Sequence, residues 1–190
     1  MSRRDVSGVS LDIALTTQFR IIRQAFPEAR RIGVLYNPDR NGKVIEEARS
    51  AAAARGFNLR AFPVDTIKEL PFAFEKLQGN ADLLWALYDP TVYGPESARY
   101  ILMQSLQRKI PVVGFSSHFA KAGAVLSMYG DYEDIGRQVA QQALALRNGQ
   151  GDAARVDRPR TVKIAVNDKV GKYLGITFPH SFRKMVNQSF

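Results

Sequence analysis

The chain contains no cysteine. That excludes disulfides, a thiolate nucleophile and cysteine-ligated zinc together. It leaves the redox compartment open, because a chain without thiols tolerates either environment. Histidine is nearly absent: His118 and His180 are the only two, and no His-x-x-x-His spacing exists, which argues against a metal site. No apolar run approaches the roughly 20 residues that a membrane-spanning helix needs. The first residues, Met1-Ser2-Arg3-Arg4, are charged but lead into no apolar stretch of signal-peptide length, so no export signal is expected. There is no Gly-x-Ser-x-Gly nucleophile turn and no Gly-rich phosphate loop. Together these gaps leave no catalytic, metal or cofactor constellation, and neither an enzymatic activity nor a cofactor is expected.

What is present is a chain of 190 residues, long enough for one domain with an appendage and for a core of its own. The net charge of +9 raises nucleic-acid binding as a possibility. The basic residues are spread along the chain, however. The densest stretch, Arg155 to Lys163, alternates with acidic and apolar residues and carries no zinc-finger, RNP-type or Gly-x-x-Gly signature. A basic surface without a nucleic-acid partner is the simpler reading.

Short apolar runs recur at Arg31–Tyr36, Ala81–Tyr88, Ile110–Phe115 and Ala124–Tyr129, and Phe57–Val64 alternates more loosely. Continuous runs of this length suit strands buried on both faces of a parallel sheet. Helical patterns lie between them, at Thr16–Phe26, Val44–Arg55, Ile67–Leu77, Glu96–Gln107 and Tyr132–Arg147. The last of these spaces Ile135, Val139, Ala143 and Leu146 as a helix would. Strand followed by helix, repeated, predicts an α/β fold: a parallel sheet with helices on both faces. Val6–Leu11 reads as an extended segment. Thr161–Val166 and a short helix to Tyr173 read as elements that flank the α/β body without extending its rhythm.

In such folds the ligand site lies beyond the carboxyl ends of the strands. Those ends are Tyr36-Asn37-Pro38-Asp39, Tyr88-Asp89-Pro90-Thr91, Phe115-Ser116-Ser117-His118 and Tyr129-Gly130-Asp131-Tyr132. Each pairs polar groups with an aromatic, a mixture suited to a small organic ligand with hydrogen-bonding groups. Asn41 is either a ligand contact or the cap of a helix-start turn. Asp89 either accepts from a ligand ammonium or starts a turn before Pro90. Asp131 contacts ligand or sits at the positive end of the helix behind it. Ser117 and His118 do not make a triad, for no nucleophile turn or orienting acid accompanies them. Trp85 reads as core.

Several stretches then resemble one family. They are Gly8-Val9-Ser10-Leu11, Ala29 to Pro38, Lys109-Ile110-Pro111-Val112, Asp131 to Gln138 and Leu174 to Pro179. In order and spacing they look like the ABC-transporter substrate-binding proteins of the tryptophan/tyrosine type, which have the type I periplasmic-binding-protein fold. The resemblance implies a solute-binding component, or one lobe of it, that hands a small ligand such as an amino acid to an ABC permease in the membrane. It implies a periplasmic or membrane-anchored exterior location. It also implies ligand contacts at Tyr36, Asn37, Asn41, Asp89, Thr91, Ser116, Ser117 and Asp131. Pro90 replaces the Asn of the family's Asp-Asn-Thr element, and Arg40 and Gly42 stand where acidic and polar residues are common.

Family members have two lobes, and this chain matches the second. By that resemblance residues 1–27 are a crossover segment and first helix, 28–150 the ligand-binding lobe, and 151–190 a returning strand, short helix and tail that belong to a largely missing first lobe. Apolar surface is then expected around Val162, Ile164 and Val166, with a homodimer as one way to cover it. A ligand-sensing regulatory lobe of the same fold is the alternative function, with an α/β hydrolase behind it.

Overall fold

The computed structural model describes residues 6–151 and 154–190. The charged start at Met1–Arg4, on which the expectation about export rested, lies outside the described residues. The elements run β1 (Gly8–Val9), α1 (Leu15–Ala25), β2 (Arg31–Tyr36), α2 (Pro38–Ala53), β3 (Asn58–Pro63), a 3-10 turn (Ile67–Glu69), α3 (Leu70–Leu77), β4 (Leu83–Trp85) and α4 (Pro95–Gln107). They continue with β5 (Val112–Gly114), α5 (Ser117–Ala122), β6 (Leu126–Gly130), α6 (Tyr132–Arg147), β7 (Val156–Asp157), β8 (Val162–Val166), α7 (Asp168–Leu174), α8 (His180–Arg183) and β9 (Gln188–Ser189). Among the described residues two compact units form: 15–128 with 164–190, and 6–14 with 129–151 and 154–163.

The larger unit is built on a seven-stranded sheet in the order β3-β2-β4-β5-β6-β8-β9. The pairs β2–β3, β2–β4, β4–β5, β5–β6 and β8–β9 all run parallel. Side chains alternate between faces along each strand, so neighbouring residues serve different cores. On β4, Leu84 joins Leu35, Phe74, Ile101 and Phe119 in one buried cluster under α3, α4 and α5. Its neighbour Trp85 packs on Phe19 of α1, ring centroids 5.1 Å apart, and its indole N–H donates to Gln18 Oε1 at 2.9 Å. Both faces are thus covered by helices, the α/β arrangement that the strand–helix alternation predicts.

The tail differs from expectation. The strand Val162–Val166 does not merely flank the body: β8 takes a place in the sheet, and β9 pairs with it through Ala165↔Gln188 and Val166↔Ser189. Ile164, Ala165 and Val166 are buried as a result. The apolar surface expected around Val162, Ile164 and Val166 is therefore not exposed at Ile164 or Val166, and it gives no support to a homodimer. Residues 164–190 pack with 15–128. Sequence adjacency hid this, because the strand that covers β8 on one side lies at the far end of the chain.

The smaller unit contains the parallel pair β1–β7, Gly8↔Val156 and Val9↔Asp157, with α6 against β1. Its buried helix face is Ile135 and Gln138; Val139 is exposed. Gln138 faces inward because backbone needs it: its Nε2 donates to Arg158 O at 3.3 Å, and its Oε1 accepts from Arg160 N at 3.0 Å.

Candidate functional site

The carboxyl ends of β2, β4 and β5 lie side by side, since β4 pairs with both neighbours. At the end of β2 the chain turns directly into α2. Asn37 is the cap: its backbone is extended at φ −87°, and its Oδ1 accepts from Arg40 N at 3.2 Å. Pro38 then occupies the first helical turn, where its missing N–H costs nothing. Asn41 is therefore inside the helix, and the reading of Asn41 as a capping residue is corrected to Asn37. The Pro and Gly of Pro38-Asp39-Arg40-Asn41-Gly42 disguise the helix start, which comes six residues before Val44.

The Asn37 side chain also faces sideways. Its Nδ2 donates to Val64 O at 3.2 Å and Asp65 O at 3.4 Å, at the end of β3. On its other side stands Asp89, fully buried at 0% exposure. Asp89 Oδ2 accepts from Asn37 N and from Asn41 Nδ2, each at 2.8 Å. Asp89 Oδ1 accepts from Thr91 N at 3.0 Å and Val92 N at 3.3 Å. A carboxylate has about four lone-pair directions. The protein's own donors occupy them all, so this geometry leaves Asp89 no acceptor free for a ligand ammonium. Thr91 is half-buried in the turn that Asp89 starts.

Aromatic rings line the same ends. Tyr88 is 69% exposed and meets Phe115 edge-on at 5.9 Å. Phe115 in turn stacks on Phe119 at 4.9 Å and meets Tyr93 at 6.0 Å. Tyr93 is buried, and its hydroxyl finds no hydrogen-bond partner among the described residues. Burial, and after it the charge of Asp89, push this phenol far above its usual range. Tyr36 ends β2, half-buried. Ser116 caps α5 by accepting from Phe119 N at 3.1 Å, Ser117 opens the helix half-buried, and His118 is exposed. The expected residues Tyr36, Asn37, Asn41, Asp89, Thr91, Ser116 and Ser117 thus all sit at three neighbouring strand ends. Exposed Tyr88 and half-buried Phe115 complete the group.

Asp131 belongs to the smaller unit. It caps α6, accepting from Glu133 N at 3.1 Å, and pairs with Lys163 Nζ at 3.1 Å. The hydrogen bond from Lys163 holds its carboxyl below the usual range. Partial desolvation opposes this, while the amides of Asp134 and Glu133 and the Lys163 charge add to it. Nearby, Tyr129 and Tyr132 stack at 6.3 Å. Sequence reasoning missed Lys163 because it lies 32 positions from Asp131.

A cavity of about 480 Å³ runs along β3 beside Arg49, Arg60 and Lys76, and none of the expected site residues lines it. Among the described residues no group of three His, Cys, Asp or Glu could hold a metal ion, and no helix is long and apolar enough to cross a membrane.

The family model for ABC transporter substrate binding proteins matches residues 1–189, and the chain belongs to that family. A curated relative, the tyrosine-binding protein of Clostridioides difficile (strain R20291), is 23% identical over 148 residues, covering 77% of this chain and 42% of that protein. Among solved structures, a conserved domain protein from Vibrio cholerae superposes with a TM-score of 0.80 at 24% identity, over 97% of this chain and 63% of that one. An ABC domain from Streptococcus pneumonia in complex with L-Trp gives 0.78 at 24% identity, over the same shares. A ligand-free, open substrate binding protein with adhesive properties from Clostridium difficile gives 0.76 at 26%, over 96% of this chain and 62% of that one. These likenesses bear out the α/β fold. The chain spans about two-fifths of the curated relative's length and under two thirds of these structures.

Proposed function

We propose that this chain supplies one wall of the ligand cleft of an ABC-import solute-binding protein, and that its solute is an aromatic amino acid or a similarly flat molecule with hydrogen-bonding groups. The observation that carries the reading is the set of strand ends in which aromatic rings stand beside polar groups: Tyr36 and Asn37, Tyr88 and Thr91, Phe115 with Ser116 and Ser117. Rings of this kind offer flat apolar contact, while hydroxyls and amides fix orientation. Two relatives lend the solute class, one called a tyrosine-binding protein and one crystallised with L-Trp.

In this reading the wall lies at the strand ends of the larger unit. Tyr36, Tyr88 and Phe115 face the ring of the solute, and Thr91, Ser116 and Ser117 meet its polar end; Asp131, in the smaller unit, supports the start of α6. The protein performs no catalysis. It works outside the cytoplasmic membrane and delivers its solute to an ABC permease, with no part for nucleic acid. One wall offers only part of the contact area of a closed cleft, so weak binding is expected of the 190 residues by themselves.

Isothermal titration of the chain with L-tryptophan, L-tyrosine, L-leucine and glucose tests this. Saturable binding of the aromatic amino acids that Tyr88→Ala weakens is expected. Binding of glucose or leucine with no aromatic preference, or turnover of any of the four, would overturn it.

A further inference from the structure

We propose that Asp89 is a positioning residue: its carboxylate clamps the start of α2 to the loop after β4, and it does not itself touch the solute. The proposal rests on the reading of the strand ends as a solute wall. Three observations carry it. Asp89 is wholly buried, so a ligand has no path to its oxygens. Its acceptor directions are filled by Asn37 N, Asn41 Nδ2, Thr91 N and Val92 N at 2.8 to 3.3 Å. Two of those donors come from the start of α2, 48 and 52 residues before Asp89 in sequence and brought to it by the pairing of β2 and β4, and two come from the turn that Asp89 itself starts.

The chain of bonds continues. Asn37, held by Asp89 through its backbone, reaches with its side chain to the carbonyls of Val64 and Asp65. The ends of three adjacent strands, β3, β2 and β4, are thereby tied in one row. A buried carboxylate needs this many N–H partners to offset lost hydration, and the start of α2 adds favourable dipoles. The same bonds hold Tyr36 and Thr91, the flanking candidates for solute contact, in a fixed relation. A side chain that met a ligand ammonium would instead be expected to keep an oxygen open to the cleft.

Two measurements on the 190-residue chain test the clamp. The first needs no solute: backbone amide exchange by NMR in wild type and Asp89→Asn. An amide in place of one oxygen confronts N–H donors with an N–H group. Faster exchange at both Asn37–Asn41 and Thr91–Tyr93 is expected, with the amides of α6 unchanged. Unchanged exchange at either loop would overturn the proposal. The second compares L-tryptophan with 3-indolepropionate, which lacks the ammonium. A clamp loses affinity for both ligands by the same factor, about 10- to 100-fold for disrupted charge-assisted bonds. A loss confined to L-tryptophan would make Asp89 a direct ammonium contact and sink the idea. If wild type binds neither ligand, the solute reading fails, and the exchange arm still decides the clamp. Should Asp89→Asn not fold, Asn41→Ala removes one arm of the clamp, and faster exchange confined to the start of α2 is expected; no change there would count against it.

Discussion

Asp82 and Arg31 close the other end of the same two strands. The guanidinium Nη2 lies 2.7 Å from Asp82 Oδ1, and Asp82 Oδ2 accepts from the amides of Arg30 and Arg31, each at 2.8 Å. The strand pair β2–β4 is thus closed by an aspartate at each end: Asp82 accepts the amides of Arg30 and Arg31, and Asp89 accepts the amide of Asn37. At the Asp82 end the site is partly open, with the Arg31 side chain 42% exposed. Solvent therefore screens the ion pair, and the bonds to backbone carry more weight than the charge attraction.

The pH behaviour of Asp82 follows from its partners. Desolvation pushes its pKa up, but the amides of Arg30 and Arg31 and the Arg31 guanidinium outweigh it, and the net shift is downward. A carboxyl with a depressed folded pKa stabilises fully above its unfolded value of about 3.9, and that contribution is lost as pH falls through the folded value. Asp82→Asn should cost about 1 kcal/mol at pH 7. The gap from wild type should shrink as pH drops below about 4. Urea unfolding at pH 7 and pH 3 measures both; an equal gap at the two values would refute the account.

Gly33 lies in the middle of β2 against α3. A Cβ there would stand 2.3 Å from Leu77 Cδ1 and 2.9 Å from Ala81 Cβ. Leu77 is fully buried in the core, so its side chain can give way only by displacing packed neighbours. Gly33→Ala should destabilise by roughly 1–3 kcal/mol through overpacking. Gly136, within α6, is the control, for a Cβ there meets nothing within 4 Å among the described residues. Gly136→Ala should stabilise by up to about 1 kcal/mol through helix propensity. Melting temperatures should therefore move in opposite directions, by about 2–4 °C per kcal/mol for a chain of this size. A shared direction would mean that the packing at Gly33 is looser than the distances indicate.

The fold was legible where pattern is local and dense. Arg31–Tyr36 reads as a strand from its apolar run and forms β2 over the same residues, and Tyr132–Arg147 does the same for α6. What was hidden depends on distant partners. Val139 has helical spacing yet is 42% exposed, because Gln138 is the residue that the backbone at Arg158 and Arg160 requires. The place of β8 in the sheet depends on β9 at the chain's end. The residue types of the candidate site were visible at the strand ends, Asp89 among them. Its bonds were not, since which donors reach a carboxylate is set by strand order, and order is not written in any single stretch.

Asn37 does two separable things, and two substitutions separate them. Its Oδ1 caps α2 through Arg40 N, and its Nδ2 ties the end of β3 through Val64 O and Asp65 O. Asn37→Ser keeps a capping oxygen and loses the tie; Asn37→Ala loses both. The step from Ser to Ala should cost about 1 kcal/mol, the usual worth of a cap. The step from Asn to Ser leaves a buried carbonyl at Val64 short of one donor and should cost about as much again. Chemical denaturation of the three proteins reads both steps. A serine variant as stable as wild type would show that the tie to β3 contributes nothing.

In the smaller unit, the Asp131–Lys163 pair makes a prediction that rests on titration alone. The hydrogen bond from Lys163 is the largest cause of the lowered Asp131 pKa, with the amides of Asp134 and Glu133 acting in the same direction. Lys163→Met removes the first and keeps the others. The Asp131 pKa should rise toward about 3.9 without reaching it, because the cap bond from Glu133 N remains. In wild type, any stability that the pair adds is present above that ordinary value and fades as pH falls through the depressed one. High salt should raise the wild-type pKa as well, since a partly exposed pair is screened, and should move it less in Lys163→Met. Carboxyl carbon NMR over pH 2 to 6, about two units to either side of that ordinary value, follows the titration directly. A pKa indifferent both to the substitution and to salt would assign the shift to the start of α6, with Lys163 a bystander.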